Sequence, residues 1–361
     1  MGRIKLVPIP EAGLFGDHSD MKRRSIHFLF VLLFVLATTL TGAQEPPKKL
    51  SIHFEPSATE TKIPERFRLV KDSFECQIDA PEELTANFSR SLVRFPSPMI
   101  TETPQNNTVH TELYLPKTPK LGKKAPAVIV LHILGGDFPL ARSFCHVLAD
   151  RGVVALFLKM PYYGERRPEG SSKRMVAQDP RETAVGFTQA VLDIRRAAVF
   201  LAQRDDVDPN QLGIFGISLG GITGGLAAGV EPRFNNVCLM LAGGDFGKIA
   251  WESKELDEPR AKWIKLGKSK EDFLETLKPI DPLTYAPSLR GRRILMMNAK
   301  DDEVIPPDCT KSFWKAAGEP EIIWYSGGHY TVARHLFNAM KRTSDFFAAT
   351  TDENPKLGEG K

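Results

Sequence analysis

The chain has 361 residues, of which 42% are hydrophobic and 25% charged, and its formal net charge is +4. This composition is ordinary for a globular protein and excludes disorder as the main state. The length accommodates one large domain or two modest ones, and no long basic run indicates a nucleic-acid partner.

The N-terminal segment predicts export of the chain. Residues 21–24 contain a basic block, residues 26–40 are almost wholly apolar, and residues 41–43 are small. This order is typical of a secretory signal peptide spanning residues 1–43, with translation expected to start at Met21. We therefore expect a secreted, periplasmic or cell-envelope protein that meets a membrane only through this segment. A retained N-terminal anchor is the alternative, although the apolar run is short for a membrane span.

Residues 44–90 are rich in Pro, Thr, Glu and Lys, and we predict a linker or loosely packed arm there. Residues 91–95 and 108–115 alternate in hydrophobicity between Pro-rich breaks, which predicts two antiparallel strands at the edge of a sheet. The main domain is predicted over residues 91–350, followed by a polar tail over residues 351–361.

From residue 125 onward, apolar runs alternate with amphipathic segments. Strands are predicted at 127–132, 153–159, 212–215, 236–242, 293–298 and 321–325, and helices at 140–151, 184–204, 219–229 and 332–349. This alternation predicts the α/β class, with a doubly wound, mostly parallel sheet and helices on both faces. Insertions at residues 161–181 and 246–290 follow strand ends, where open α/β sheets bind ligands, and are expected to form the walls of a substrate pocket.

Gly216-Ile217-Ser218-Leu219-Gly220 has the pattern Gly-x-Ser-x-Gly between a predicted strand and a small-residue helix. A sharp strand-to-helix turn of this kind presents the serine hydroxyl above a sheet, and the flanking glycines remove side chains that would clash. We predict Ser218 as a nucleophile. The alternative is a glycine-rich turn that only packs a helix on the sheet.

Two later segments supply the groups that a nucleophilic serine requires. Asp301 and Asp302 follow the strand at 293–298, and His329 follows the last strand, after two glycines. A histidine beside the serine can act as general base, and a carboxylate can hold its tautomer. Asp245, which follows the strand at 236–242, is a second position for the acid, and His335 is expected to be structural.

In their order and spacing these motifs resemble the α/β-hydrolase superfamily over about residues 125–349. Within it the chain is most similar to the group of dienelactone hydrolases and acetyl xylan esterases. That similarity is carried by residues 193–198 before the serine and residues 281–287 before the acid. The resemblance implies a triad of Ser218, Asp302 and His329, with Asp302 preferred over Asp301 because it stands four residues before Pro306. Dienelactone hydrolases carry cysteine as nucleophile, so Ser218 favours ordinary ester hydrolysis.

The resemblance also implies two backbone oxyanion donors. One is the N–H of Leu219, and the other belongs to the loop after the first buried strand. Leu134 is preferred there and Ile133 is the alternative, because Ile133 stands where the superfamily commonly has glycine. His132 is expected to support this loop. Residues 161–167 could contact substrate through their tyrosines and arginines, with a purely structural loop as the alternative.

These observations predict a secreted serine hydrolase that cleaves carboxylic esters, sugar acetyl esters among them, through an acyl-enzyme intermediate. The expected partner is a small-molecule or carbohydrate ester, with no cofactor and no metal. The four cysteines match no zinc spacing, and the sequence leaves their pairing open. A prolyl-oligopeptidase-like serine peptidase and a non-catalytic binding protein that retains the fold are the alternatives.

Overall fold

The computed structural model describes residues 46–117, 124–136, 138–252 and 257–349. Within these ranges one mixed sheet of eleven strands runs in the order β1-β2-β4-β5-β7-β6-β8-β9-β10-β11, with β3 paired to β4. The strands are β1 Lys48–Phe54, β2 Asp72–Ile78, β3 Glu82–Glu83, β4 Phe88–Pro96, β5 Thr108–Pro116, β6 Ala125–Leu131, β7 Val154–Leu158, β8 Val207–Ile217, β9 Asn236–Met240, β10 Arg293–Ala299 and β11 Glu321–Tyr325.

The half of the sheet from β7 to β11 is parallel, and the predicted α/β class is confirmed. Alternate side chains of β6 enter two different cores: Ile129 and Leu131 face one, Val128 and Val130 the other. Because helices cover both faces, six of the seven positions of this strand are buried, which explains why its sequence is a continuous apolar run.

The linker or arm predicted over residues 44–90 is wrong for its described part. β1 pairs antiparallel with β2, which pairs with β4, so this segment extends the main sheet. Its strands alternate: Ile52 and Phe74 are buried, while Lys49 and Glu75 form an ion pair outside. The predicted antiparallel strands β4 and β5 are confirmed, but they lie inside the sheet and not at its edge.

The helices of the described residues confirm the predicted segments and add short ones within the second insertion and one more, α8, after β10. They are α1 Phe138–Asp150, α2 Pro180–Ala202, α3 Leu219–Val230, α4 Phe246–Glu252, α5 Asp257–Lys265, α6 Lys270–Leu277, α7 Pro282–Tyr285, α8 Pro307–Ala316 and α9 Leu336–Ala348. The predicted closing helix begins as a 3-10 turn, Thr331–His335, before α9. No helix in the described ranges is long and apolar enough to cross a membrane. The predicted signal peptide and C-terminal tail lie outside the described residues.

All four cysteines are buried free thiols. The pairing that the sequence left open is therefore none. Burial raises the pKa of Cys76, Cys238 and Cys309 to about 12. Burial also raises the pKa of Cys145. Because the thiolate is the reactive form of cysteine, these four thiols are inert at neutral pH.

Candidate active site

Ser218 lies at a sharp turn between the end of β8 and the start of α3. Its backbone has φ 54° and ψ −116°, a region that residues with a side chain rarely adopt. Two backbone hydrogen bonds hold this conformation: Ser218 N–H donates to the Met240 carbonyl, and Ile222 N–H donates to the Ser218 carbonyl, both at 2.9 Å. Strain of this kind costs about 1–3 kcal/mol and clusters at functional sites.

The glycines around Ser218 are required by the close packing of the turn. A Cβ at Gly216 would lie 2.1 Å from the Gly220 carbonyl oxygen, and a Cβ at Gly220 would lie 2.7 Å from the carbonyl oxygens of Leu131 and His132. Both distances are far below contact between carbon and oxygen. The spacing Gly-x-Ser-x-Gly therefore follows from the approach of α3 to β6 and β8.

The three side chains named from the sequence lie in one hydrogen-bonded chain. His329 Nε2 lies 3.0 Å from Ser218 Oγ, and His329 Nδ1 lies 2.9 Å from Asp302 Oδ2. A carboxylate only accepts hydrogen bonds, so Nδ1 carries the proton and Nε2 is free to accept from the serine hydroxyl. His329 and Asp302 are both buried, which shields their contact from water.

Of the three acids considered, Asp302 is the one that contacts His329. Its Oδ1 also accepts from the backbone N–H groups of Val304 and Ile305, at 2.9 and 2.7 Å, which fixes the carboxylate in the loop after β10. Asp301 is exposed. Asp245 lies after β9, where its backbone carbonyl accepts from Ile249 N–H.

Sequence reasoning missed Glu303. Its Oε2 accepts a hydrogen bond from the backbone N–H of His329 at 2.9 Å. A Cβ at Gly328 would lie 2.2 Å from the same oxygen, so the glycine before the histidine makes room for Glu303. The only signal in the sequence was that Glu303 directly follows Asp302.

The loop after β6 brings Leu134 to the cavity that contains Ser218 and Leu219. Leu219 is the first residue of α3, where a backbone N–H has no acceptor within the helix. In the loop, the Ile133 carbonyl accepts from Gly136 N–H at 3.0 Å. Because a trans peptide directs its C=O and N–H to opposite sides, the N–H of Leu134 points away from that bond.

His132 supports this loop as a neutral side chain. Its Nε2 accepts from Met160 N–H at 3.1 Å, so the proton lies on Nδ1, which donates to the Ile133 carbonyl at 2.8 Å. Burial lowers the pKa of His132 to about 4. The ring also makes an edge contact with Tyr163 at 4.4 Å between centroids. Both ring nitrogens of His132 are thus engaged in hydrogen bonds to the backbone, as expected for a structural role.

The tyrosines and arginines of residues 161–167 divide into buried supports and surface groups. Arg166 is fully buried and forms an ion pair with Asp193 at 2.7 Å. The Tyr163 hydroxyl donates to the Leu134 carbonyl at 2.7 Å. Tyr163 therefore holds the loop after β6, whereas Arg167 is exposed.

A cavity of about 260 Å³ opens at Ser218, and its walls are mostly apolar. Both predicted insertions contribute to it, together with α3 and the loop after β10. Its lining residues are Leu134, Val176, Ala177, Gln178, Pro180, Thr183, Ser218, Leu219, Ile222, Phe246, Ile249, Ala250, Arg260, Phe273, Leu277, Val304 and Ile305. A pocket of this kind suits an apolar group attached to the serine.

Two family models match the chain. Residues 57–245 match the family described as alpha/beta hydrolase domain containing 18, and residues 188–350 match the prolyl oligopeptidase family. An uncharacterized protein of Mycobacterium tuberculosis is 28% identical over 184 residues, which are 50% of this chain and 43% of that protein. The matched segment thus spans less than half the length of this relative.

Solved structures of two acetyl xylan esterases share the fold. The enzyme from Paenibacillus sp. R4 has a TM-score of 0.61 at 19% identity, covering 80% of this chain and 90% of that one. Acetyl xylan esterase 1 from Thermoanaerobacterium sp. JW/SL YS485 has a TM-score of 0.59 at 18% identity, covering 76% and 87%. These similarities show an α/β-hydrolase fold, as the sequence motifs predicted.

Proposed function

This chain belongs to the α/β-hydrolase family described as alpha/beta hydrolase domain containing 18, and on that premise we propose that it hydrolyses carboxylic esters through an acyl-enzyme on Ser218. The observation that carries the proposal is the hydrogen-bonded chain from Ser218 through His329 to Asp302. The strained backbone of Ser218 and the apolar cavity beside it support the same reading.

In the first half-reaction Ser218 Oγ attacks the ester carbonyl carbon while His329 Nε2 takes the hydroxyl proton. The Asp302 carboxylate stabilises the resulting imidazolium through its hydrogen bond with Nδ1. The carbonyl oxygen becomes an oxyanion, and the backbone N–H groups of Leu219 and Leu134 are the proposed donors to it.

The orientation of the loop after β6 favours Leu134 over Ile133 as the second donor. The His132 carbonyl oxygen lies against Gly220, so the Ile133 N–H of the same peptide faces away from α3. The Leu134 peptide is held by the bond from Gly136 N–H to the Ile133 carbonyl. A donor fixed in this way requires no reorganisation when the oxyanion forms.

Collapse of the tetrahedral intermediate breaks the bond to the alcohol, which leaves with the proton from His329. The acyl group stays on Ser218. A water then attacks the acyl-enzyme, with His329 again as general base, and the carboxylic acid departs. The four buried thiols and the neutral His132 take no part in these steps.

The cavity favours an apolar acyl group larger than acetyl. Among the residues that line it, only Gln178, Thr183, Ser218 and Arg260 have polar side chains. Arg260 donates to Asp257, and its guanidinium stacks over Trp251 at 5.7 Å. A sugar acetyl ester would place only a methyl group in this space, so we propose esters of longer apolar acids.

A serine peptidase is the second candidate, because the prolyl oligopeptidase model matches the segment that contains Ser218, Asp302 and His329. The same three groups cleave amides and esters alike. The two functions differ in the group that leaves, so a direct comparison of substrates separates them.

The test combines labelling with turnover. Wild type and Ser218→Ala are treated with a fluorophosphonate probe, then assayed with p-nitrophenyl butyrate and with a peptide p-nitroanilide. Ser143→Ala, on α1, is the matched control. We expect label on Ser218 in the wild type and the control, and at least a ~10⁴-fold loss of butyrate turnover in Ser218→Ala. Absence of label in the wild type refutes a serine hydrolase, and turnover of the peptide alone favours the peptidase.

We also propose that residues 1–43 direct export and are removed, on the basic, apolar and small-residue order of that segment. Mass spectrometry of the protein isolated from its native host tests this. A mature N-terminus near residue 44 supports export, and a chain that retains the apolar run supports an anchor.

A further inference from the structure

A second recess, of about 500 Å³, adjoins the cavity at Ser218. The two share Leu134 and Val176 in their walls, so they lie side by side. Their chemistry differs, because the second recess is lined by Gly135, Tyr162, Arg167 and Arg174 and does not include Ser218. The function proposed above does not account for this recess.

In the part of the chain that the structure describes, two arginines converge in this recess and neither pairs with an acid. Arg167 Nε donates to the Ser171 carbonyl at 3.2 Å, and Arg174 Nη1 donates to the same oxygen at 2.8 Å. The two donor nitrogens therefore lie within about 6 Å of each other. Among the residues that the structure describes, neither guanidinium contacts a carboxylate.

Neighbouring cations on the same segment are neutralised differently. Lys173 pairs with Glu182 at 3.2 Å, and Arg181 pairs with Asp179 at 2.6 Å. Within the described residues, Arg167 and Arg174 contact only backbone carbonyls, and both are exposed, so their remaining donors are accessible to an anion. A guanidinium is the side chain best suited to bind carboxylate or phosphate, because its planar donors match two acceptor oxygens.

The backbone of the recess is held in an unusual conformation. Tyr162 has φ 63°, in the left-handed region, and its N–H donates to Asn106 Oδ1 at 3.0 Å. Burial raises the pKa of Tyr163 to about 12, and the positive charges of Arg174 and Arg167 oppose this rise. Backbone strain of this kind clusters at active sites and ligand-binding segments.

We propose that this recess binds an anionic group, a carboxylate or a phosphate, on the alcohol half of the ester substrate. The inference rests on the proposed function. The acyl half stays bonded to Ser218, which lines only the apolar cavity, so the alcohol half is the one that reaches Arg167 and Arg174 across Leu134 and Val176. The bond changes at Ser218 are those already described, and the arginines position the substrate.

The experiment compares butyrate esters that differ only in the alcohol. The probes are 4-butyryloxybenzoate, 4-butyryloxybenzyl phosphate and the neutral 4-butyryloxybenzamide. We expect wild type to hydrolyse at least one anionic ester with a kcat/KM about tenfold above that of the benzamide. In the double variant Arg167→Gln/Arg174→Gln this preference falls to about one, mainly through KM, while Arg181→Gln keeps it. Whichever anion is preferred identifies the group as carboxylate or phosphate.

The outcomes separate the two proposals. If wild type hydrolyses all three esters with equal kcat/KM, or if an anionic preference persists in the double variant, the anion site is refuted while the esterase stands. If the wild type hydrolyses none of them and Ser218 takes no fluorophosphonate label, the esterase itself is refuted. Circular dichroism and thermal unfolding of both variants confirm that they are folded.

Discussion

The side chain of Glu303 accepts a hydrogen bond from the backbone N–H of His329 at 2.9 Å, beside the contact of Asp302 with the same residue's ring. Glu303 and Asp302, consecutive residues after β10, thus hold the backbone and the imidazole of His329, which follows β11. Because both bonds come from one short loop, a movement of that loop would displace the whole ring from Ser218.

The identity of the triad acid can be tested by substituting the three acids one at a time. Asp302→Asn preserves shape but removes the charge and favours the wrong tautomer of His329, so we expect kcat to fall about 10⁴-fold. Asp301→Asn and Asp245→Asn should change kcat less than about threefold, because neither side chain contacts His329. Initial rates with p-nitrophenyl butyrate at pH 7.5 provide the ranking, and a larger loss in Asp245→Asn would contradict the assignment.

Glu303 is expected to act as a positioning residue. Glu303→Ala removes the acceptor for His329 N–H and should lower kcat about tenfold with little change in KM, since a lost hydrogen bond of about 1–2 kcal/mol misplaces the ring. Glu303→Gln keeps an acceptor oxygen and should recover most of that loss. Equal damage from both variants would mean that the charge of Glu303, and not its hydrogen bond, is what matters.

The sequence was most informative where local geometry restricts the choice of residue. The turn at Ser218 was predictable because its backbone and the approach of Leu131 to Gly220 require glycines at fixed spacing. Asp302 and His329 were candidates because both follow strand ends, and their catalytic roles stay a prediction. The contact of Glu303 with His329 was not predictable, because the two residues are 26 positions apart and no motif connects them.

The prediction of a linker over residues 44–90 was wrong because the composition of the segment was given more weight than its alternation of apolar and polar residues. Residues 48–54 alternate, with Ile52 inward and Lys49 outward, but their charges and the nearby prolines resemble a linker. Arg195 on α2 is a second example, because its buried ion pairs with Glu60 and Glu231 join this segment to α2 and to the end of α3. No local sequence pattern predicts ion-pair partners of Arg195 that lie 135 and 36 residues away along the chain.

The close packing at the turn predicts that alanine has opposite effects on stability at two glycines of α3. Gly220→Ala places a Cβ 2.7 Å from two backbone carbonyl oxygens, so we expect lost activity and a destabilisation of about 2 kcal/mol or more. At Gly224 the nearest atom to a new Cβ is a Leu239 methyl at 3.4 Å, an ordinary contact. Gly224→Ala should therefore retain activity and gain up to about 1 kcal/mol from helix propensity. Urea unfolding and kcat measurements test both, and similar behaviour of the two variants would contradict the turn geometry.

The apolar cavity predicts a preference for longer acyl chains. Burial of one methylene contributes about 0.8 kcal/mol, so kcat/KM should rise up to about fourfold per methylene from acetate toward hexanoate. Ala250→Phe fills part of the cavity and should lower kcat/KM for hexanoate much more than for acetate. Val185→Phe, at an exposed position of α2 outside the cavity, is the matched control. A wild-type profile that declines from acetate onward would contradict this role of the cavity.

Burial of His132 predicts a specific loss of stability in mild acid. Burial lowers its pKa from 6.5 in the unfolded chain to about 4, and Nε2, which accepts from Met160 N–H, is the nitrogen that would have to take up the proton. Between these values the unfolded chain binds a proton that the folded chain does not. The free energy of unfolding therefore falls as pH drops through 6.5, and the loss is complete near pH 4. From pH 7.5 to 4.5 this amounts to roughly 2 to 3 kcal/mol.

Burial also lowers the pKa values of His110 and His146, so these residues contribute to the same loss of stability in acid. The contribution of His132 is therefore obtained as a difference between two proteins. Urea unfolding of wild type and His132→Asn is measured from pH 7.5 to 4.5. The other histidines titrate in both proteins and cancel, so the stability advantage of the wild type should shrink by roughly 2 to 3 kcal/mol over this range. An advantage that stays constant would mean that His132 accepts a proton in the folded chain. The hydrogen bond from Met160 N–H to Nε2 could not then persist, and the loop that carries Leu134 would lose one of its supports.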